Sequence, residues 1–238
     1  MKGPAFYKFL LVALPAGLGI SVVVALWWKI KAEDQRGMAS LSYAASDFSA
    51  AGLRDAVGKL EDLIGPRGYD GELEQRRLRQ AAALIQGELG LNNLGYTVKD
   101  GEAVIAGERI WKDYWVQSGE GSEEEALLIW ANYRTDSASS AALISLAEWL
   151  RGRSFSRPVI VAFAVDGRPK AIPSEQAIEV TALGQGSSGL TYDRSRNELA
   201  PVAAKGEVDD NWKETLDWDD YLQQVRDLCD RVSELAGA

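Results

Sequence analysis

The longest apolar stretch in the chain runs from Phe9 to Trp28, twenty residues without a charged side chain. At about 1.5 Å per residue a helix of this length spans roughly 30 Å, the thickness of the hydrocarbon core of a bilayer. Aromatic residues flank the stretch, where they suit the two membrane interfaces: Phe6, Tyr7, Trp27 and Trp28. The pattern predicts a short N-terminal tail over residues 1–8 and one transmembrane helix over residues 9–28.

We interpret this helix as a retained anchor. A cleavable signal peptide is the alternative, but its apolar region would be shorter, and the bulky WWKIK sequence that follows is a poor cleavage site. Basic residues stand on both sides of the span, so their distribution does not decide the orientation: Lys2 and Lys8 before it, Lys29, Lys31 and Arg36 after it.

One face of the predicted membrane helix carries only small residues. They recur every four positions, at Ala13, Gly17, Ser21 and Ala25. Such a stripe lets a second helix approach closely, and we expect other membrane-protein subunits to pack there. Alanine and glycine are also common in membrane helices, so a chance stripe is the alternative.

Beyond the membrane segment, apolar positions three and four residues apart predict four helices. They are expected over residues 32–63, Glu72–Leu89, Ala141–Leu150 and Trp218–Leu235. The first of them should end near Gly65 and Pro66, because these residues terminate helices.

Shorter apolar runs between the helices predict strands. They are expected at Tyr96–Val98, Ala103–Ile105, Ile110–Val116, Ala126–Ala131, Pro158–Val165 and Ile178–Leu183. A strand, a helix and a buried strand in this order indicate a right-handed parallel crossover. The predicted fold class is α/β, a mostly parallel mixed sheet flanked by helices, in a single domain over residues 32–238.

Charge is distributed unevenly along the chain. The sequence has 26 basic and 35 acidic residues, and the first 31 residues hold four lysines and no acid. The remainder therefore has 22 basic against 35 acidic residues, a net charge of −13. An acidic domain repels phosphate backbones, so we expect no nucleic-acid partner.

The chain contains no histidine. This excludes Ser-His-Asp and Cys-His nucleophile systems and removes the commonest zinc ligand. The single cysteine, Cys229, falls in a helical pattern, and we interpret it as a buried small apolar residue.

A glycine-rich segment, Gly184-Gln-Gly-Ser-Ser-Gly189, fits the dinucleotide-binding pattern G-x-G-x-x-G. That motif must open a helix whose N-terminus receives the pyrophosphate. Here the following Leu-Thr-Tyr-Asp is typical of an extended segment. We therefore expect no nucleotide.

Several segments between Leu53 and Gly167 follow one another in an order that resembles the M28 family of zinc-dependent aminopeptidases. They are LEDLIGPRG from Leu60, LGYTV from Leu94, LLIWANY from Leu127, DSASSAAL from Asp136 and VAFAVDG from Val161. The resemblance implies an aminopeptidase-like α/β fold and a soluble domain on the extracytoplasmic, periplasmic side of the membrane.

The metal-site positions of that family are degenerate in this chain. The resemblance places Asn132 at a histidine ligand, Arg134 at its supporting aspartate, Arg168 at the general base and Pro169 at a glutamate ligand. Only Asp136, the bridging aspartate, is retained. We expect no zinc and no cofactor, and a salt bridge from Arg134 or Arg168 to Asp136 unless both arginines lie in solvent.

These observations favour a non-catalytic, membrane-anchored subunit that scaffolds or stabilises a larger membrane protein complex. A peptide- or ligand-binding module is one alternative. A hydrolase of a non-zinc mechanism is another, with Ser137, Ser139 or Ser140 as nucleophile, although serines at a helix start are more often caps. The kind of complex stays open among photosynthetic, respiratory, secretory and envelope assemblies.

Overall fold

A computed structural model describes residues 49–106, 109–183, 190–193, 196–201 and 216–237. They belong to one unit that spans residues 47–238. Within these ranges no helix has both the length and the apolar character that crossing a bilayer requires. The N-terminal tail, the transmembrane helix over 9–28, its small-residue stripe and its flanking aromatics lie outside the described residues, as does the glycine-rich segment over 184–189.

The first described helix, α1, spans Ala50–Gly58 and continues without a break into a π-helical segment, Lys59–Ile64. The Ser49 side chain caps α1 by accepting a hydrogen bond from the Gly52 N–H at 3.0 Å. The π-helical segment ends at Gly65, whose φ of +79° favours glycine.

Three longer helices follow, and the sequence pattern predicted each of them. Helix α2 spans Glu72–Leu89, as expected from its apolar spacing. Helix α3 spans Ser137–Leu150 and begins four residues before the predicted start, because Asp136 caps it. Helix α4 spans Trp218–Ala236 and is capped by Asp217.

Seven strands form one sheet in the order β1-β2-β4-β3-β5-β7-β6. Their bounds are β1 Lys99–Ala106, β2 Arg109–Ser118, β3 Leu127–Asn132, β4 Val159–Ala164, β5 Gln176–Val180, β6 Leu190–Asp193 and β7 Glu198–Pro201. Strand β3 is parallel to β4 and β5, and β5 is parallel to β7. The other three pairings are antiparallel. The sheet is therefore evenly mixed rather than mostly parallel.

Two predicted strands differ from the observed ones. Residues 96–98 are not a strand, since β1 begins only at Lys99. Strand β5 ends at Val180 rather than at Leu183, because the chain turns at Ala182, where φ is +52°.

The two faces of the sheet are covered differently. Buried residues of all four helices pack with one face in a single large apolar cluster. The smaller cluster on the other face includes Trp115, Trp130 and Ile172, and none of its members comes from a helix in the described part of the chain. Ile172 belongs to the segment between β4 and β5, residues 165–175, whose Ser174 hydroxyl donates to the Ala126 carbonyl at 2.6 Å.

Strands β3, β4 and β5 end at the same edge of the sheet, because they run in parallel. In open parallel sheets this carboxyl edge is where functional side chains meet. The last residue of β3 and the residues that follow β3 and β4 include every metal-site position assigned from the family resemblance.

Candidate functional site

The turn between β3 and α3 is fixed by the side chain of Asn132, the last residue of β3. Its Oδ1 atom accepts hydrogen bonds from the backbone N–H groups of Arg134 at 3.0 Å and Thr135 at 3.2 Å. An asparagine that bonds to the backbone just after itself is a common turn device. The amide oxygen of Asn132 therefore serves the turn.

Asp136 joins the start of α3 to the end of β5. One carboxyl oxygen accepts from the Ser139 N–H at 2.8 Å, and the other accepts from the Ala182 N–H at 2.9 Å. Burial raises the pKa of Asp136, and nearby Glu61 raises it further, while the hydrogen bonds from Ser139 and Ala182 lower it. The two oxygens of Asp136 thus join the first turn of α3 to the segment after β5.

A buried guanidinium, that of Arg67, lies beside this helix start. Only 3% of the Arg67 side chain is exposed. It donates to the Leu60 carbonyl at 2.6 Å, to the Arg134 carbonyl at 3.3 Å and to the Ser137 hydroxyl. One side chain therefore joins the π-helical segment, the β3–α3 turn and the first residue of α3.

The charge of Arg67 is balanced by acids around it. Burial lowers the pKa of Arg67, whereas Glu61 and Asp136 act to raise it. The distance from Arg67 Nη2 to Glu61 Oε1 is 3.8 Å. Because arginine stays protonated even when buried, this edge of the sheet holds a permanent positive charge.

Arg134 and Arg168 do not form the expected salt bridge with Asp136. Arg134 turns to the end of β4, where it donates to the Val165 carbonyl at 3.2 Å and pairs with Asp166 at 3.4 Å. Arg168 instead donates to the Ser174 carbonyl within the β4–β5 segment, where Pro169 is buried. The expectation that one of these two arginines compensates Asp136 is corrected, since Arg67 is the cation buried beside it.

Val165, the residue after β4, forms hydrogen bonds through both its carbonyl and its N–H. Its carbonyl accepts from Arg134 and from the Tyr69 hydroxyl at 3.4 Å, and its N–H donates to Asp113 Oδ1 at 2.8 Å. The guanidinium of Arg134 lies 4.9 Å from the centre of the Tyr69 ring, in cation–π geometry.

Asp113 is a second buried carboxyl at this edge, with 1% of its surface exposed. Burial raises the pKa of Asp113 to about 6, and the Val165 N–H and Lys170 only partly oppose the shift. It lies in β2 between Trp111 and Trp115, where the alternation of the strand places an apolar residue. An acidic residue between two tryptophans in a predicted strand is the sequence signal that could have indicated Asp113.

The three serines at the start of α3 all make structural hydrogen bonds. The Ser137 hydroxyl accepts from Arg67, Ser139 Oγ accepts from the Leu183 N–H at 3.3 Å, and Ser140 Oγ donates to the Asp136 carbonyl at 2.7 Å. All three are buried. This arrangement matches a role in holding the helix start rather than that of an exposed nucleophile.

The residues at this edge do not fit a zinc ion. In the ranges that the structure describes, no three Asp, Glu, Cys or His side chains lie close enough together to hold a metal ion. A catalytic zinc requires about three protein ligands in tetrahedral geometry. Asp136 offers one carboxylate, Asn132 offers a neutral amide, and Arg67 would repel the ion.

Solved structures with a similar fold include two glutaminyl cyclases and a zinc aminopeptidase. A glutaminyl cyclase from Porphyromonas gingivalis matches with a TM-score of 0.56 and 10% identity, over 80% of this chain and 100% of that one. BSAP, a zinc aminopeptidase from Bacillus subtilis, matches with a TM-score of 0.56 and 9% identity, over 80% and 96%. Tannerella forsythia glutaminyl cyclase has a TM-score of 0.53 at 12% identity, over 78% and 98%. The aminopeptidase-like fold expected from the sequence is confirmed.

No protein-family model matches the chain, and no curated protein matches it. At these low identities the structural likeness establishes the fold and leaves the activity open.

Proposed function

We propose that this chain is a non-catalytic, membrane-anchored subunit, whose peptidase-like domain scaffolds or stabilises a larger membrane protein complex. The neighbours in fold are enzymes, so the proposal depends on the chemistry of the site rather than on the fold.

The observation that carries the proposal is the buried Arg67 guanidinium at the carboxyl edge of the sheet. It bonds to two backbone carbonyls and a serine hydroxyl, and it lies near the one retained acidic position, Asp136. A water-activating metal needs an open coordination position and anionic ligands that point at it. A permanently charged side chain that binds backbone in this place favours a structural junction.

The same arrangement weighs against a peptide-binding cleft at this position. A cleft near Asp136 would need polar groups directed at a ligand. Both Asp136 oxygens accept backbone N–H groups instead, and the Asn132 oxygen accepts two more.

The membrane part of the proposal rests on the sequence of residues 9–28. In lipid, helix association depends on close packing, and the Ala13, Gly17, Ser21 and Ala25 stripe provides the space for it. The anchor would then bring the acidic domain to partner subunits in the same membrane.

Co-purification of partners from detergent-solubilised membranes tests the proposal. A Gly17→Leu/Ser21→Leu variant keeps the span hydrophobic, so it should still insert, but it fills the stripe. The matched control is Val22→Leu/Leu26→Ile, which changes another face of the same helix. We expect the stripe variant to lose subunits that the parent and the control retain.

Two outcomes would contradict the proposal. If stripe variant and control retain the same partners, the membrane helix does not carry the association. If the parent co-purifies with no other membrane protein, the chain is not a subunit of a stable complex.

A further inference from the structure

The β4–β5 segment, residues 165–175, lies over the face of the sheet that carries the smaller apolar cluster. Its Ile172 is 2% exposed and belongs to that cluster together with Trp115. The segment also approaches the edge strand β1, where a Cβ atom on Gly101 would lie 2.5 Å from the Ala171 Cβ and 3.2 Å from the Trp115 ring. Because only glycine leaves room for this approach, the segment packs directly on the backbone of the sheet.

The β4–β5 segment is attached at its two ends and has no regular structure between them. At its start the Val165 carbonyl accepts hydrogen bonds from Arg134 and Tyr69. At its end the Ser174 hydroxyl donates to the carbonyl of the residue before β3 at 2.6 Å. Residues 166–173 form neither helix nor strand, and most of them are exposed. A segment of this kind opens at a lower free energy than the strands that flank it.

Asp113 lies beside this segment. Its carboxyl is 1% exposed, and among the hydrogen bonds described it accepts only the Val165 N–H, at 2.8 Å. The charges of two residues of the segment act on it, since Asp166 raises the pKa of Asp113 and Lys170 lowers it. The segment therefore passes close to Asp113, and opening of residues 166–173 would let water reach the carboxyl.

The lysine and tyrosine side chains around Asp113 keep their charge between pH 5 and pH 8. Lys112, next to it in β2, pairs with Asp100 of β1, and this pairing raises the pKa of Lys112. Three tyrosines whose pKa values are raised above the ordinary 10 stay neutral in this range: Tyr69, Tyr114 and Tyr133. The ionisation of Asp113 therefore changes in this interval while these neighbours do not.

Ionisation of Asp113 favours the open segment. With the segment closed, burial raises the pKa of Asp113 to about 6, whereas a hydrated aspartate has the ordinary value of 3.8. The closed form therefore binds the proton more tightly, and it loses stability relative to the open form as the pH rises through this interval. The Val165 N–H favours the carboxylate, but it does not offset the effect of burial.

We propose that Asp113 is a pH-sensitive switch for the β4–β5 segment, which stays closed over the sheet when the carboxyl is protonated and opens more often when it is ionised. Opening uncovers the part of the smaller apolar cluster formed by Ile172 and Trp115. The switch is independent of the proposed non-catalytic function, because it involves neither a metal nor a partner subunit.

Hydrogen exchange followed by mass spectrometry measures the opening. The full chain in mild detergent is compared at pH 5 and pH 8, with correction for the intrinsic rate of amide exchange at each pH. We expect the protection of the amides in residues 166–173 to fall on the order of tenfold from pH 5 to pH 8, as the difference between the two pKa values requires. Strand β3 should stay more protected than the segment at both pH values, since the segment opens without the sheet.

Asp113→Asn removes the titrating group and keeps the shape of the side chain. In this variant the segment should be equally protected at pH 5 and pH 8. Gly101→Ala is the steric control, because its methyl group displaces Ala171 without changing any charge. It should lower the protection of the segment at both pH values and leave the dependence on pH in place.

Two further variants test the switch without altering Asp113. Asp166→Asn removes a charge that raises the pKa of Asp113, so the midpoint of the loss of protection should move to lower pH. Lys170→Met removes a charge that lowers this pKa, so the midpoint should move to higher pH. Opposite shifts in the two variants are the result expected if the charge of Asp113 controls the opening.

Three results would overturn the proposal. Equal protection of residues 166–173 at pH 5 and pH 8 in the parent would show that opening does not hydrate Asp113. A loss of protection of the same size in Asp113→Asn would assign the effect to another group. Equal protection of the segment and of β3 at pH 8 would mean that the whole domain unfolds instead. If Asp113→Asn does not fold, the two charge variants decide, and the absence of opposite shifts overturns the proposal.

Discussion

Two aspartates at the carboxyl edge of the same sheet, the half-buried Asp136 and the buried Asp113, are used in different ways. Asp136 has a backbone N–H on each oxygen and lies close to the Arg67 guanidinium. Asp113 accepts one backbone N–H, from Val165, and the charge of Asp166 raises its pKa further. Both have a raised pKa because burial penalises the ionised carboxyl.

The difference lies in the groups that bond to each carboxyl. Asp136 accepts backbone N–H groups on both oxygens, so it caps α3 and joins it to the segment after β5. Asp113 accepts only the Val165 N–H among the hydrogen bonds described, and ionisation of either carboxyl costs stability because both pKa values are raised. Neither carboxyl has neighbours that would complete a metal site among the described residues.

Among the variants that test this comparison, removal of the Arg67 side chain should lower the free energy of unfolding most. Arg67→Met removes the buried cation near Glu61 and Asp136. It also removes a hydrogen bond from the Arg134 carbonyl and one from the Leu60 carbonyl, which still accepts from the Gly65 N–H. We expect a loss of about 3–5 kcal/mol in the free energy of unfolding, the scale for removing one partner of a buried charged network. Chemical denaturation of the full chain in mild detergent measures it.

Arg134→Met serves as the control for that variant, because Arg134 is partly exposed and pairs with an exposed acid, Asp166. Its effect should stay within about 1 kcal/mol. Equal losses in the free energy of unfolding for the two variants would show that the buried Arg67 stabilises this edge no more than the partly exposed Arg134.

Truncation of Asp136 should have the next largest effect. Asp136→Ala removes the α3 cap and the contact with Ala182, and it should destabilise the domain by about 1–3 kcal/mol. Asp136→Asn should cost less, because an amide oxygen can still accept the Ser139 N–H. Ser49→Ala, at the exposed cap of α1, measures the loss of stability when a helix cap alone is removed. A loss for Asp136→Ala no larger than this would contradict the role of Asp136 in joining α3 to the segment after β5.

Asp113 should make the stability of the domain depend on pH. Its pKa in the folded protein is about 6, above the ordinary 3.8, so between these values the folded state holds the proton more tightly than the unfolded state. Stability contributed by this group therefore falls as the pH rises from about 4 to about 7. Asp113→Asn should flatten this part of the profile and stabilise the domain at pH 7 by on the order of 1–2 kcal/mol.

Thermal unfolding of parent and Asp113→Asn between pH 4.5 and 7.5 measures the effect. Asp136→Asn run in parallel measures the separate contribution of Asp136, whose raised pKa acts on the slope in the same direction. An identical slope in the parent and in Asp113→Asn would contradict the assignment to Asp113.

The sequence predicted the parts of this edge that depend on neighbours along the chain. The apolar spacing located α2 at its observed bounds, and the order of β3, α3 and β4 indicated their parallel pairing. The cap at Asp136 follows from a polar residue before a run of alanine and serine.

The arginine network could not be predicted in the same way. Arg67 bonds to Arg134 and Ser137, 67 and 70 residues further along the chain, and no periodicity records such contacts. Arg134 and Arg168 were expected near Asp136 because the family resemblance places them at the supporting aspartate and the general base. The packing of the β4–β5 segment turned Arg168 toward Ser174 instead.

The central claim, that the carboxyl edge is a structural junction and not a metal centre, is tested most directly by the metal content of the purified chain. Protein prepared without chelator and dialysed against zinc should contain no stoichiometric zinc by elemental analysis. Aminopeptidase and glutaminyl cyclase assays on the same sample, with added zinc or cobalt, should stay at background. One or two zinc ions per chain, lost together with activity in Asp136→Ala, would contradict the account.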